Sequence, residues 1–541
     1  MLKGIKLLIF IQFLAIYGQK ILAQNQIGKY LVKFKDKAGN TFSIDKPQDF
    51  LSKRAIDRRA NQGIKITNHD LPPTKSYIDE LKKAGATVWY QSRWYNGALI
   101  LADSATALKI KSLSFVMGFE NNLPLNLDGA GNLRKQSKFD IKLDTVNYGS
   151  GSVQARMMGT HNLHNAGFKG KGMLIAVLDD GFNRIDKNSY LKHLFEENKV
   201  LGTYDFVRNT KNVYDIGGHG NLVLSTIASN TEGKFVGTAP EASFVLLRTE
   251  DAPTEKLIEE ANYLFAAEYA DSSGVDVINT SLGYVDFDYA GYTHSRQDLD
   301  GDKTLVTKAA DWAAAAGILV CVSAGNSGEN GIGAPSDGDS VLAIGSVDKN
   351  EIKSGFSSVG PSGDGRIKPD LSAMGSSTFI NSVNASTGET QLFTGSGTSF
   401  ASPIFAGFAT CFWQANPSLK VMEVHQALKN LGSQATKPDN RIGYGIPKYN
   451  VLVILAEEKN ADLGLKIFPN PSTNLLKIDL PQNWKNKKYS LQIFNQSGLT
   501  VFSKNLLVNN YEIDITIYPT GTYFGKISHE AENLNFKFLK Y

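Results

Sequence analysis

Between residues 172 and 449 short apolar runs alternate with longer helical stretches, and this alternation restricts the fold more than any other feature of the chain. The runs 173–178, 244–248, 275–280 and 318–323 carry little polar alternation, while 221–229, 254–269 and 304–316 read as helices. Apolar strands of this kind are buried on both faces and the helices supply the crossovers, so the pattern predicts an α/β domain with a mostly parallel sheet covered by helices. In such sheets the reactive groups collect at the carboxyl ends of strands.

Different patterns flank this region. From 30 to 120, short apolar segments (30–34, 87–90, 98–102, 115–119) mix with two helical stretches (76–84, 104–113), which reads as a small α+β domain. Residues 121–152 are rich in Asn, Gly, Asp and Ser without periodicity, the mark of a linker or an extended, cleavable segment. Past 462, short strands at 465–468, 475–478, 489–494, 500–502, 511–517, 521–527 and 535–539 predict a small all-β sandwich. The expected organisation is 1–23 export signal, 24–120 α+β domain, 121–152 linker, 153–454 central domain, 455–462 linker and 463–541 sandwich.

A chain of 541 residues, 42% hydrophobic and 20% charged, needs several cores. Its net charge of +4 and the absence of Lys/Arg clusters interleaved with aromatics argue against nucleic acid as a partner. Lys3 and Lys6 precede an apolar run over 7–17 and then Ile21-Leu22-Ala23, the layout of a secretory signal cut after Ala23. Gln12, Gly18, Gln19 and Lys20 leave too short an apolar stretch to cross about 30 Å of hydrocarbon, so no stable membrane span is expected. Cys321 and Cys411, the only cysteines, lie in an apolar run and a helical stretch. Two buried thiols are expected, with a bridge left open because sequence does not fix the distance between them.

Three segments of the central domain set a reactive side chain beside glycines. Asp179 ends the apolar run Leu174-Ile175-Ala176-Val177-Leu178 and precedes Asp180-Gly181. His219 sits in Gly217-Gly218-His219-Gly220 at the start of a helical stretch. Ser399 lies in Gly397-Thr398-Ser399-Phe400-Ala401-Ser402-Pro403 at the head of an apolar helix, where free N–H groups and the positive helix end suit an oxyanion. Alone, each reads as a turn or cap residue; together they are the parts of an acyl-transfer site.

These blocks, with Ser323-Ala324-Gly325-Asn326, resemble the signature segments of the subtilisin-like serine peptidases and occur in that family's order. The resemblance implies Ser399 as nucleophile, His219 as general base, Asp179 as its orienting partner and Asn326 as oxyanion donor. It places substrate along Ser281-Leu282-Gly283 and Ala324-Gly325, with broad specificity for polypeptides. It implies no required cofactor and no metal ligand. The Asp-rich insert 286–302 reads as a solvated loop, with structural calcium as the unassigned alternative, since Ala309 stands where an EF-hand needs a carboxylate. Asn221 and Leu222 follow His219-Gly220 where the family carries Thr and a second His, and Asp180 replaces a small hydroxyl residue. Asp180 is expected to satisfy turn amides, or alternatively to raise the basicity of His219.

The stretch Phe50-Leu51-Ser52-Lys53-Arg54-Ala55-Ile56-Asp57-Arg58-Arg59 and the pattern after it resemble the inhibitory propeptides of Bacteroidetes subtilases, which implies a self-processed zymogen. Ile467-Phe468-Pro469-Asn470-Pro471 and Tyr518-Pro519-Thr520-Gly521-Thr522-Tyr523-Phe524 resemble a type IX secretion sorting domain, which implies export through the periplasm to the medium or the cell surface. Two other functional classes fit the sequence less well. An α/β-hydrolase esterase needs Asp and then His after the serine, and His425 and Asp439 run in the wrong order. A surface-binding protein on an inactive scaffold requires loss of a catalytic residue, and none is lost.

Overall fold

The computed structural model describes residues 27–127, 148–449 apart from Ala290, and 464–540 apart from 496–499, 508–509 and 530–531. The export signal, the 455–462 linker and most of the 121–152 linker lie outside the described residues.

The N-terminal unit comprises β1 (Gly28–Phe34), α1 (Lys53–Gln62), α2 (Lys75–Lys83), β2 (Thr87–Ser92), β3 (Gly97–Ala102), α3 (Ser104–Lys111) and β4 (Val116–Phe119). Its strands pair antiparallel in the order β2-β3-β1-β4. Strand alternation gives the sheet two working faces. Tyr30, Val32, Phe34 and Ile100 pack on Ile78, Leu81 and Ile110 of α2 and α3. Leu31 and Leu99 point the other way and enter one core with Val245, Leu247, Tyr263 and Phe265 of the central domain.

The central domain adds β5 (Leu174–Asp179), β6 (Val200–Asp205), α4 (His219–Ala228), β7 (Ser243–Arg248), α5 (Ile258–Ser273), β8 (Val277–Thr280), α6 (Leu305–Ala315), β9 (Leu319–Ser323), β10 (Leu342–Val347), β11 (Leu371–Met374), β12 (Thr378–Val383), β13 (Thr390–Gly395), α7 (Thr398–Ala415) and α8 (Val421–Asn430). The sheet runs β11-β10-β9-β8-β5-β7-β6, with every neighbouring pair parallel. Ile175 and Val177 face α4 and α7 (Leu224, Phe405, Phe408), whereas Ala176 and Leu178 face α5 and α6 (Leu264, Ala310). Both faces are dry, as the unbroken apolar runs require. β5 lies between β8 and β7, where the strand order reverses, and the carboxyl end of a strand at such a switch point is where α/β sheets place their chemistry.

The C-terminal unit has β14 (Lys466–Phe468), β15 (Leu475–Asp479), β16 (Tyr489–Phe494), β17 (Thr500–Leu506), β18 (Asn510–Asp514), β19 (Gly521–His529) and β20 (Glu532–Lys540). Two antiparallel sheets, β14-β15-β18 and β17-β16-β19-β20, close on one core that includes Leu476, Ile478, Ile513, Leu491, Ile493 and Phe538. The α/β centre, the α+β front and the β-sandwich end agree with the reading from sequence.

β6, β10 to β13 and α8 form where the sequence reading names no element, and two further features depart from it. The helix expected over 254–269 forms four residues later, as Ile258–Ser273. Its start is fixed by the Glu259 carboxylate, which accepts the Asp251 and Lys256 amides and holds the preceding turn. The second is α1. Ser52 caps it by accepting the Ala55 amide, and Gly63 ends it in the left-handed region at φ 70°. Its buried face is Ala55, Arg58, Arg59 and Gln62 rather than an apolar stripe. Among the described residues no helix is long and apolar enough to cross a membrane. Cys321 and Cys411 are both buried and unbonded.

Candidate active site

Asp179 is fully buried at the end of β5. Its Oδ1 accepts the Asp180 amide at 2.9 Å and bonds His219 Nδ1 at 2.8 Å. Its Oδ2 is buried without a hydrogen-bond partner. His219 is the first residue of α4, and its side chain is 35% exposed. Burial of the ring opposes protonation, but the Asp179 charge and hydrogen bond outweigh it, with a smaller push from Asp180, and hold the imidazole pKa up at about 9. The ring packs on Phe400 at 5.9 Å between centroids, which brings the head of α7 against the histidine.

The two loops carrying Asp179 and His219 interlock so closely that glycine is required. At Gly220 a side chain would come within 2.3 Å of the Gly181 carbonyl oxygen, and at Gly217, with φ +72°, within 2.4 Å of the Asp180 oxygen. Asn221, where the family carries Thr, is buried and donates to the Asn183 carbonyl, a bond that ties the same two loops together.

Ser399 lies in the first turn of α7, behind Gly397. Pro403 has no N–H for the Ser399 carbonyl four residues earlier, and the Ser281 hydroxyl donates to it instead at 2.9 Å. Asn279 links the same two segments, donating to Ser281 Oγ at 3.1 Å and accepting from Ser402 Oγ at 2.9 Å. The carboxyl end of β8 is thereby fastened to the helix that presents the serine. The Ser399 hydroxyl donates to the Ser281 carbonyl at 3.4 Å, and no hydrogen bond to His219 is formed. Serine–histidine bonds of this kind are commonly long or absent until substrate arrives.

Asn326 accepts the Thr398 amide at 2.9 Å and the Thr398 hydroxyl at 3.0 Å through Oδ1. Both partners are donors, which fixes the orientation of the amide and leaves its NH₂ free. Asn326 and Ser399 line one cavity of about 150 Å³, and so do Ser281, Leu282, Gly283 and Gly325. Ala324 does not line it; it is fully buried, its amide bonded to the Ile344 carbonyl at 3.0 Å. The cavity is completed by Val285, Ser323, Ser327, Gly333 and Ser358, most of which carried no sequence signal. Ser358 is the informative one, because its Oγ would lie 2.9 Å from any Cβ at Gly325, where φ is +107°.

The residues considered for other roles lie elsewhere. His425 is buried with its Nε2 near the Val341 carbonyl at 3.4 Å, and Asp439 accepts the Arg441 and Ile442 amides in a turn. In the 286–302 insert, Asp298 takes the Ser295 amide and Lys303, and Asp300 takes the Asp302 and Lys303 amides. Among the described residues the group spaced to hold a cation is Glu250, Glu255 and Glu259, with carboxylate oxygens within 4.8 Å of one another. Burial raises all three pKa values, that of Glu255 to about 8.

Three stretches of the chain match known protein families. The family model "Subtilase family" matches residues 170–445, "Peptidase S8 propeptide domain, Bacteroidota" matches 29–138, and "Secretion system C-terminal sorting domain" matches 466–540. The chain is 32% identical over 307 residues to Serine protease AprX of Bacillus subtilis (strain 168), covering 52% of this chain and 65% of that protein. It is 31% identical over 313 residues to Subtilisin DY of Bacillus licheniformis, covering 57% of this chain and 97% of that one. A solved structure of MycP3 protease from the type VII (ESX-3) secretion system matches at 22% identity and a TM-score of 0.45, over 57% of this chain and 89% of that chain. The chain belongs to the subtilase family of serine peptidases, with a Bacteroidota-type propeptide domain ahead of its catalytic fold and a secretion sorting domain behind it.

Proposed function

We propose that the protein is a secreted serine endopeptidase, made as a zymogen that processes itself, with Asp179, His219 and Ser399 as its catalytic triad. The observation that carries this reading is the bond from His219 Nδ1 to the buried Asp179, beside the helix head that presents Ser399. Substrate binding turns the Ser399 hydroxyl from the Ser281 carbonyl toward His219 Nε2, which takes its proton as Oγ attacks the scissile carbonyl. Asp179 holds the tautomer and stabilises the imidazolium. The Asn326 NH₂ and the Ser399 amide receive the tetrahedral oxygen; in subtilisin, to which this chain is similar, loss of one such donor costs about 10²–10³ in rate. His219 returns its proton to the leaving amine, and water then releases the acyl group by the same steps.

The substrate is an extended polypeptide lying along Ser281-Leu282-Gly283 and Gly325, with the side chain before the scissile bond in the cavity of about 150 Å³. The cavity is lined by Ser, Gly, Leu, Val and Asn and has no charged group, which supports an uncharged side chain there. No cofactor is required. The propeptide domain inhibits in cis until the chain is cut between residues 121 and 150, and the sorting domain hands the exported protein to the type IX machinery for release or surface attachment. The test compares Ser399→Ala with wild type on casein, on an ester and with a fluorophosphonate label. The mutant is expected to lose at least about 10⁴-fold in casein cleavage, to take no label and to remain unprocessed. Casein cleavage at the wild-type rate by the mutant sinks the reading.

A further inference from the structure

Asp180 makes contacts that a hydroxyl residue at its position could not make. Its carboxylate accepts the Gly218 amide at 3.1 and 3.2 Å through its two oxygens, and the Gly220 amide at 3.1 Å through Oδ1. One side chain therefore holds the main chain on both sides of His219. Gly218 precedes α4 and has no side chain with which to cap it, so Asp180, from the loop that follows β5, supplies the acceptor that an N-cap residue normally provides. It also puts a negative charge at the positive end of the helix that carries the imidazole.

Asp180 is itself fixed at each end. Its amide donates to Asp179 Oδ1, and its carbonyl accepts Arg248 Nε at 2.9 Å. Arg248 is buried and paired with Asp205 at 3.1 Å. The contacts form a ring that runs from Asp179 through Asp180, the two glycine amides and His219 back to Asp179.

We propose that Asp180 is a positioning residue for His219, bracketing the imidazole by holding the Gly218 and Gly220 amides on one carboxylate. The inference rests on the triad reading and adds to it a device that sets where the histidine stands. The charged groups around His219 are Asp179 and Asp180 at the end of β5, with Arg248 from β7 behind Asp180 and Glu250, after β7, within electrostatic reach of both aspartates. From α7 the ring meets the apolar Phe400.

The experiment uses the full chain with Asp180→Asn, Asp180→Ser and Asp180→Ala. Active sites are counted by fluorophosphonate, and kcat and KM on a peptide amide are followed from about pH 6 to 10. Asp180→Ala is expected to lose about 10- to 100-fold in kcat, the scale of a small misplacement of a catalytic group, with KM within about twofold of wild type. Asp180→Asn keeps an acceptor for the amides and is expected to recover most of that loss, while Asp180→Ser does not. In all three the acid limb of kcat/KM moves to lower pH, because a negative charge near the imidazolium is gone. Wild-type kcat and an unmoved acid limb in Asp180→Ala overturn the proposal, as does a rise in KM alone. An equal fall in all three variants that tracks thermal stability, with the acid limb in place, reduces Asp180 to a structural turn and also overturns it. Failure of the triad reading shows separately, as a wild-type enzyme that takes no label, and removes this proposal with it.

Discussion

Helix α5 carries buried carboxylates at both ends, and the two ends behave in opposite ways. At its C-terminal end Asp271 has no exposed surface and receives Arg58, Arg59 and Arg93, all from the propeptide domain. Burial would raise its pKa, but the three guanidinium groups win and hold it below the ordinary carboxylate range. Glu268, a turn earlier, takes the Ser92 hydroxyl and the Arg93 and Trp94 amides from that same domain. At the N-terminal end Glu259 meets Glu250 and Glu255, and burial pushes all three pKa values up, with repulsion from Asp179 and Asp180 at Glu250 and from neighbouring glutamates at the other two. The helix dipole alone predicts the reverse, favouring anions at the start of the helix and disfavouring them at its end, but it contributes only about 0.3–1 kcal/mol. Desolvation and pairing of buried charges are several times larger, so the partner decides which cluster is ionised.

The largest expected effect comes from breaking the paired end. Asp271→Asn leaves three buried arginines around a neutral amide, and the uncleaved chain, kept intact by Ser399→Ala, is expected to lose about 3–5 kcal/mol. Denaturant melting measures this, and a loss under about 1 kcal/mol means that the arginines find other partners. Asp271 has a depressed pKa when folded, so its contribution is present above about pH 4, the unfolded value, and fades as the pH falls through the folded one.

The unpaired end is expected to respond at the other side of the pH scale. Glu255, raised to about 8, holds a proton in the folded chain that the unfolded chain gives up near pH 4, so stability falls as the pH rises between those values. Glu255→Gln is therefore expected to melt several degrees higher than its parent at pH 9 and at about the same temperature at pH 4.5. A gain that is the same at both pH values points to packing instead of charge. The smallest effect belongs to Lys53, on α1 beside the buried arginines but 87% exposed and paired with Asp57. Lys53→Ala is expected to change stability by less than about 0.5 kcal/mol, and a larger loss means that the outer face of α1 also carries the contact.

How much of this was legible in the sequence depended on what kind of residue was buried. β5 could be read because six consecutive buried positions end in Asp179, His219 because Gly217 and Gly220 beside it have neighbours too close for any side chain, and Ser399 because it follows Gly397 at the head of an apolar helix. The helix α1 carries no helical signal in its hydrophobic pattern, since its inward positions include Arg58, Arg59 and Gln62 and such a pattern does not register arginine as interior. β10 and β11 went unread because Gly345 and Ser346 interrupt the apolar run of one and the other is four residues long with Ser372 inside it. Val285, Gly333 and Ser358 reach the cavity beside Ser399 from separate loops, and no local spacing relates them. Asp180 was expected in a turn, and the amides it holds belong to a loop about forty residues away, beyond what a local motif encodes.

The two unbonded cysteines have a use of their own. Cys321 lies mid-strand in β9 and Cys411 inside α7, both without exposed surface, and burial drives both thiols away from the reactive thiolate. Alkylating reagents therefore wait for the domain to come apart, so the labelling rate in native buffer times how often it opens. One tag reports on the sheet and the other on the helix, and the fold has no bond for a reductant outside the cell to break.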